Sequence, residues 1–128
     1  MKNVNVQTLK TSEQTFFLVW LKILQAYLKL GKQERLVLSR LLYHRYKLSH
    51  EIKNKSIVES TLMSTQIRKQ IREELGMDTA SFNNTLTALR KKRLIVNNKI
   101  NNKIIPKVDP NFKSFKLIYN IEIENIQN

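Results

Sequence analysis

The 128-residue chain has no cysteine, two glycines and two prolines, and only ten acidic side chains against 23 lysines and arginines. Without cysteine there are no disulfides, thiolate zinc sites, iron–sulfur clusters or thiol nucleophiles. Two glycines cannot build a phosphate-cradling loop, which needs several residues free of a Cβ so that a ligand reaches the backbone. The longest apolar run, Phe16–Leu21, is six residues, where a membrane-spanning helix needs about 20. The first ten residues lack the apolar core of a secretory signal, so the expectation is a soluble protein of the cytoplasm, or of a virion if phage-encoded. His44 and His50 are the only histidines, and no acidic or histidine spacing around them matches a metal site. Carboxylates at acid–base spacing are missing as well, so no enzyme, cofactor, metal or membrane is expected.

What the chain does have is positive charge and enough apolar residues for a core. The formal net charge is +13 and 41% of residues are hydrophobic, which fits one domain of modest stability. The basic excess is spread along the whole length and points to polyanionic surroundings such as nucleic acid.

Residues 1–12 show no period and read as a loose arm. A helix is expected over 13–31, capped by Ser12 or Thr11 and ended by Gly31. Its apolar arc is wider than one contact surface requires. Phe17, Leu21, Leu24 and Leu28 are therefore expected at a dimer or docking interface, with Phe16, Trp20, Ile23 and Tyr27 anchoring the helix to its own core, or the two stripes exchange roles. A second helix starts at Lys32, with Val37, Leu38, Leu41 and Leu42 at core spacing. Residues 47–61 look irregular apart from a short strand at Ile57-Val58.

Ser64 is expected to cap a helix through Leu75 with Ile67, Ile71 and Leu75 on one stripe, and Gly76 to stop it. Asp78 then caps a helix over Thr79–Arg93 whose inner stripe is Phe82, Leu86 and Leu89. Beyond Leu94 the period changes to two. Phe115, Leu117, Tyr119, Ile121 and Ile123 alternate with Lys116, Asn120, Glu122 and Glu124, the pattern of a half-buried strand. Leu94–Asn97 and Lys103–Ile105 are weaker strands, and the stretch with Pro106 and Pro110 reads as a long hairpin tip.

The run from Leu75-Gly76-Met77-Asp78 through Phe82, Leu86 and Leu89 to Arg90-Lys91-Lys92-Arg93-Leu94-Ile95 resembles the winged helix-turn-helix family of DNA-binding proteins, of the bacterial or phage regulator and replication-initiator kind. The resemblance covers about 62–123, extends loosely over 32–61 and leaves 1–31 unexplained. It implies a mainly α fold with a small β-hairpin (α+β), a winged helix domain over 32–124 preceded by the amphipathic helix. Two departures stand out: Arg93 occupies a position where the family has glycine, and no glycine lies between Ile95 and Phe115.

With the inner stripe facing the core, the opposite side of helix 79–93 carries Ala80, Asn84, Thr87 and Lys91, flanked by Asn83 and Arg90, with Thr79 and Ser81 at its start and Lys92 at its end. Asparagine can pair bidentately with adenine, lysine and arginine meet guanine or phosphate, and a small residue lets a helix end approach closely. Arg68, Lys69 and Arg72 on the preceding helix are expected to touch phosphates, and Lys103, Lys107 and Lys113 to lie on a wing. The expected partner is double-stranded DNA, bound by a homodimer or by a chain docked to a larger assembly. The alternative is a winged-helix interaction module in a phage-like particle or nucleoprotein assembly, since fold alone does not fix function.

Overall fold

In a computed structural model that describes residues 3–125, the chain is mainly helical with one small antiparallel sheet. The elements are α1 (Glu13–Ile23), α2 (Gln25–Leu28), α3 (Lys32–Glu51), α4 (Lys55–Leu62), α5 (Thr65–Glu74), α6 (Thr79–Lys91), β1 (Ile95–Val96), β2 (Lys99–Ile100) and a 3-10 turn at Asn102–Ile104.

α3 is the centre of the fold. It packs against α1, α4, α5 and α6 and buries Val37, Leu38, Leu41 and Leu42, the four residues expected at core spacing. Ser12 caps α1 and Glu13 lies in its first turn, where a carboxylate favours the positive end of the helix dipole. The expected single helix over 13–31 is interrupted at Leu24, after which only the short α2 follows. Gly31 does not end that helix. Lys29 takes the left-handed position at φ 51°, while Gly31, at φ −69°, is the N-cap of α3 and donates its N–H to the Glu34 carboxylate at 2.6 Å. Gln25 closes the turn without glycine. Its side-chain amide donates to the Leu30 carbonyl, and its side-chain oxygen accepts the Leu30 N–H.

The segment expected to be irregular between 47 and 61 is largely helical. α3 runs on to Glu51, and Ile57-Val58 lie inside α4 rather than in a strand, because Asn54 accepts the N–H groups of Ser56 and Ile57 and starts a helix there. α4 buries Val58 and Leu62 and rests against β2.

α5 and α6 follow the sequence closely. Ser64 caps α5 through the Ile67 N–H, and Asp78 caps α6 through the Ser81 N–H at 2.7 Å. Both helices end in the same six-to-one arrangement: Gly76 N–H donates to Glu73 O and Met77 N–H to Arg72 O, while Arg93 N–H donates to Arg90 O and Leu94 N–H to Leu89 O. The left-handed residue is Gly76 at φ 64° in one and Arg93 at φ 61° in the other. The hairpin is much tighter than expected. Asn97 and Asn98, at φ 53° and 60°, form a two-residue turn that sets Ile95 opposite Ile100 and Val96 opposite Lys99. Asparagine tolerates the left-handed region, so it stands in for the missing glycine.

The long tip and returning strand expected after the hairpin are replaced by a strap, residues 104–115. Lys103–Ile105 belongs to the 3-10 turn and its exit, not to a strand. Trp20 Nε1 donates to the Ile104 carbonyl at 2.8 Å, the Asn111 N–H donates to the Tyr46 hydroxyl at 2.9 Å, and Phe112 and Phe115 pack edge-on against Phe16. The strap therefore lies over α1 and α3. Lys116–Glu124 has the alternation of a strand but joins no sheet among the described residues, where the two-residue strands β1 and β2 pair only with each other.

This arrangement buries Phe17 and Leu21, expected at an interface, inside the chain's own core. Phe17 and Leu21 are 2% and 0% exposed within the chain's own core, Leu24 and Leu28 pack partly buried against the same cluster, and the strap covers Phe16 and Trp20. Of the two stripes, only Ile23 and Tyr27 remain exposed as large apolar side chains.

Candidate nucleic-acid interface

α6 buries Phe82, Thr85, Leu86 and Leu89, and its amphipathic turn of 100° per residue leaves the opposite side to solvent. Ala80, Asn84, Thr87 and Lys91 are exposed along that side, with Thr79, Asn83 and Arg90 exposed on one flank. Two threonines illustrate the division. Thr85 turns inward and satisfies its hydroxyl on the Ser81 carbonyl, while Thr87 is outside and bonds to the Asn83 carbonyl.

The other flank of α6 meets the start of α3. Ser81, Asn84, Thr85 and Ala88 line an open groove with Gly31, Lys32, Gln33 and Glu34. Ser81 is half-buried there. Lys92, expected on the DNA face, is instead a tie between elements: its Nζ donates to Glu34 Oε1 at 2.7 Å and to the Lys29 carbonyl at 3.0 Å. Burial opposes ionisation of Glu34, but the bonds from Lys92 and the Gly31 N–H prevail and hold its carboxyl below the ordinary range. Glu34 therefore stays charged and its charge is spent on Lys92.

No acidic residue lies within α6. The nearest, Asp78, is committed to capping. The Ser81 N–H holds its carboxyl below the usual range, with the Ser81 hydroxyl and the Arg72 guanidinium adding to the effect. Arg72 lies at the turn into α6, where its carbonyl accepts the Met77 N–H. Lys69 is exposed, Arg72 and Arg68 are partly buried, and none of the three forms an ion pair among the described residues. Arg68 Nε is buried without a hydrogen-bond partner among those residues.

The acid at the end of α5 is used elsewhere. Glu73-Glu74 looks like an ordinary solvated pair in the sequence, but Glu74 accepts two bonds from Arg40 at 2.6 and 2.8 Å and faces His44 Nε2 at 2.9 Å, clamping α5 to α3. Burial works against its charge, yet Arg40 and His44 outweigh it and lower its pKa from the ordinary 4.5. Glu34 and Glu74 thus tie helices together, while Arg90, Lys91, Lys69 and Arg72 form no ion pair among the described residues.

The residues expected on the wing do not gather there. Lys103 sits on the 3-10 turn, and Lys107 and Lys113 are exposed on the strap rather than on the hairpin. The hairpin offers Lys99, which joins Arg45, Lys55, Ser56, Glu59 and Asn102 around a cleft of about 190 Å³ between α3, α4 and β2. Arg45 Nε donates to Glu59 Oε1 at 3.0 Å inside it. Sequence reasoning misses this cluster because 47–61 reads as irregular; the signal available is Asn54, a good cap placed before a run with helical spacing.

Among the described residues no group of three or more metal-ligating side chains could hold an ion, and no helix is long and apolar enough to cross a membrane. Comparison of the chain with protein families, with curated proteins and with solved structures finds no match to any of them.

Proposed function

We propose that this chain is a non-enzymatic protein that binds double-stranded DNA and acts by occupancy, as a transcriptional regulator or as a replication or maintenance factor. The observation that carries the reading is the acid-free outer side of α6, where Asn84, Thr87 and Lys91 are exposed beside Arg90, together with cations on the preceding helix α5 that form no ion pair among the described residues. α3, α5, α6 and the β1–β2 hairpin follow the order of a winged helix-turn-helix, with α4 in place of the usual first strand and a wing reduced to one turn. In this reading α6 enters the major groove N-terminal end first, Ala80 allowing close approach, and Lys69 and Arg72 meet the phosphates beside it. Lys99 reaches the backbone from the hairpin.

Exposed residues test the proposal without disturbing the core. Arg90→Ala with Lys91→Ala should weaken binding to every duplex and flatten the dependence of affinity on salt by roughly 0.9 log units per log unit of salt for each phosphate no longer neutralised. Asn84→Ala should leave that slope alone and narrow the preference for a selected site by about 1–3 kcal/mol. Lys92→Ala is the contrast, expected to lower stability by breaking the tie to Glu34 while keeping the salt slope. Duplex retention unchanged by the Arg90/Lys91 pair, at several salt concentrations, would sink the proposal.

A further inference from the structure

None of the backbone groups of residues 116–125 forms a backbone hydrogen bond among the described residues, which leaves an unpaired edge. Such an edge is a template for another strand. The segment leaves the body with one face turned inward: Leu117 and Tyr119 are 38% and 48% exposed, whereas Ile118 between them is 73% exposed. This face continues the line begun by Phe115, which packs on Phe16 and Trp20, and Tyr119 stacks on Tyr27 with 6.3 Å between ring centroids. Farther out the same face is uncovered, with Ile121 and Ile123 at 84% and 91%.

We propose that Lys116–Glu124 is a β-strand whose partner is the same segment of a second copy, antiparallel, with the two-fold axis at Asn120. The sequence of this stretch is complementary to itself in that register. Leu117 faces Ile123 of the second copy and Tyr119 faces Ile121, so every apolar residue of the inner face meets another. On the outer face Lys116 meets Glu124, opposite charges at both ends of the ribbon, and Asn120 meets its own equivalent. Ile118 and Glu122 form the remaining pair.

Other registers fit less well. A slip of one residue would set the apolar residues on one face with Asn120, Glu122 and Glu124. Moving the axis to Tyr119 would draw Phe115 into the pairing, although that ring is already held by Phe16 and Trp20. A two-stranded ribbon is marginal by itself and needs a surface beneath it. Tyr27 of α2, exposed and stacked on Tyr119, supplies part of one.

The absence of native cysteine allows a direct test on the full chain. Single Asn120→Cys, Ile118→Cys, Tyr119→Cys and Glu122→Cys variants are oxidised and their cross-linking rates compared. Residues facing each other across an antiparallel pair lie about 4.5–5.5 Å apart at Cα, within disulfide range, and only position 120 faces itself. Asn120→Cys should cross-link fastest; a faster rate at any other position overturns the register. Sedimentation of the native chain should show a dimer, weakened about tenfold by Lys116→Glu or by Glu124→Lys and recovered when both changes are combined. A dimer unaffected by Ile121→Lys with Ile123→Lys, or a monomer at every concentration, overturns the proposal. These side chains lie outside the core, so retained helicity in each variant separates lost pairing from lost folding.

Discussion

Two residues show how much of this fold depends on local arrangements that a side chain resists or a distant partner supplies. Arg93 completes the C-terminal turn of α6 in the left-handed region, at a position equivalent to Gly76 of α5. A Cβ there costs about 1 kcal/mol relative to glycine. Arg93→Gly is therefore expected to stabilise the domain by up to about 1 kcal/mol, checked by urea denaturation, while removing one cation next to the proposed interface. Glu74 carries the second residue-scale prediction. Its pKa is lowered in the folded chain, so its stabilising contribution is complete above the ordinary value of 4.5 and is lost as pH falls through the depressed folded value. Glu74→Gln should lower stability near neutrality and flatten part of the acid decline. Melting temperature measured across the range from neutrality to well below the ordinary carboxylate pKa would reveal both, and an unchanged acid limb would show that Arg40 and His44 do not act through this carboxylate.

At the scale of elements, the burial of α1 gives its substitutions a definite direction. Leu21 is fully buried, so Leu21→Ala should cost about 2–5 kcal/mol. Trp20→Phe keeps most of the apolar volume but leaves the Ile104 carbonyl without its donor, a loss of about 1–3 kcal/mol. Equilibrium unfolding measures both; a Leu21→Ala protein as stable as the native one would contradict the placement of α1. α5 and α6 are legible in the sequence because local signals agree there: Ser64 and Asp78 as caps, Gly76 as a stop, and Ile71, Phe82, Leu86 and Leu89 at helical spacing. The outer side of α6 is legible for the same reason. α4 is hidden because its polar residues mask a short period, and 115–124 suggests a sheet strand because alternation reports burial on one side without saying what covers it. The role of Lys92 is illegible because a salt bridge to a residue 58 positions away leaves no local trace. The α1 arc is wide because it is covered twice, by α3 and by the strap, a long-range fact that helical periodicity does not contain.

At the scale of the whole molecule, the parts that would touch DNA and the parts that complete the core come from different stretches of chain. A protein ending at Ile100 keeps α5, α6 and the hairpin but lacks Ile104, Phe112 and Phe115, leaving the aromatic face of α1 bare. Such a truncation is expected to lose cooperative thermal unfolding and to aggregate; a sharp transition like that of the full chain would show that the strap is dispensable. The strap also sets an order in time. Trp20 and its partner Ile104 are 84 residues apart, so at a translation rate of roughly 5–20 residues per second α1 waits about 4–17 s for its cover to be made. During that interval Phe16 and Trp20 are open to whatever apolar surface is near. The newborn chain is thus most exposed to chaperones, and to its own neighbours on a polysome, at α1.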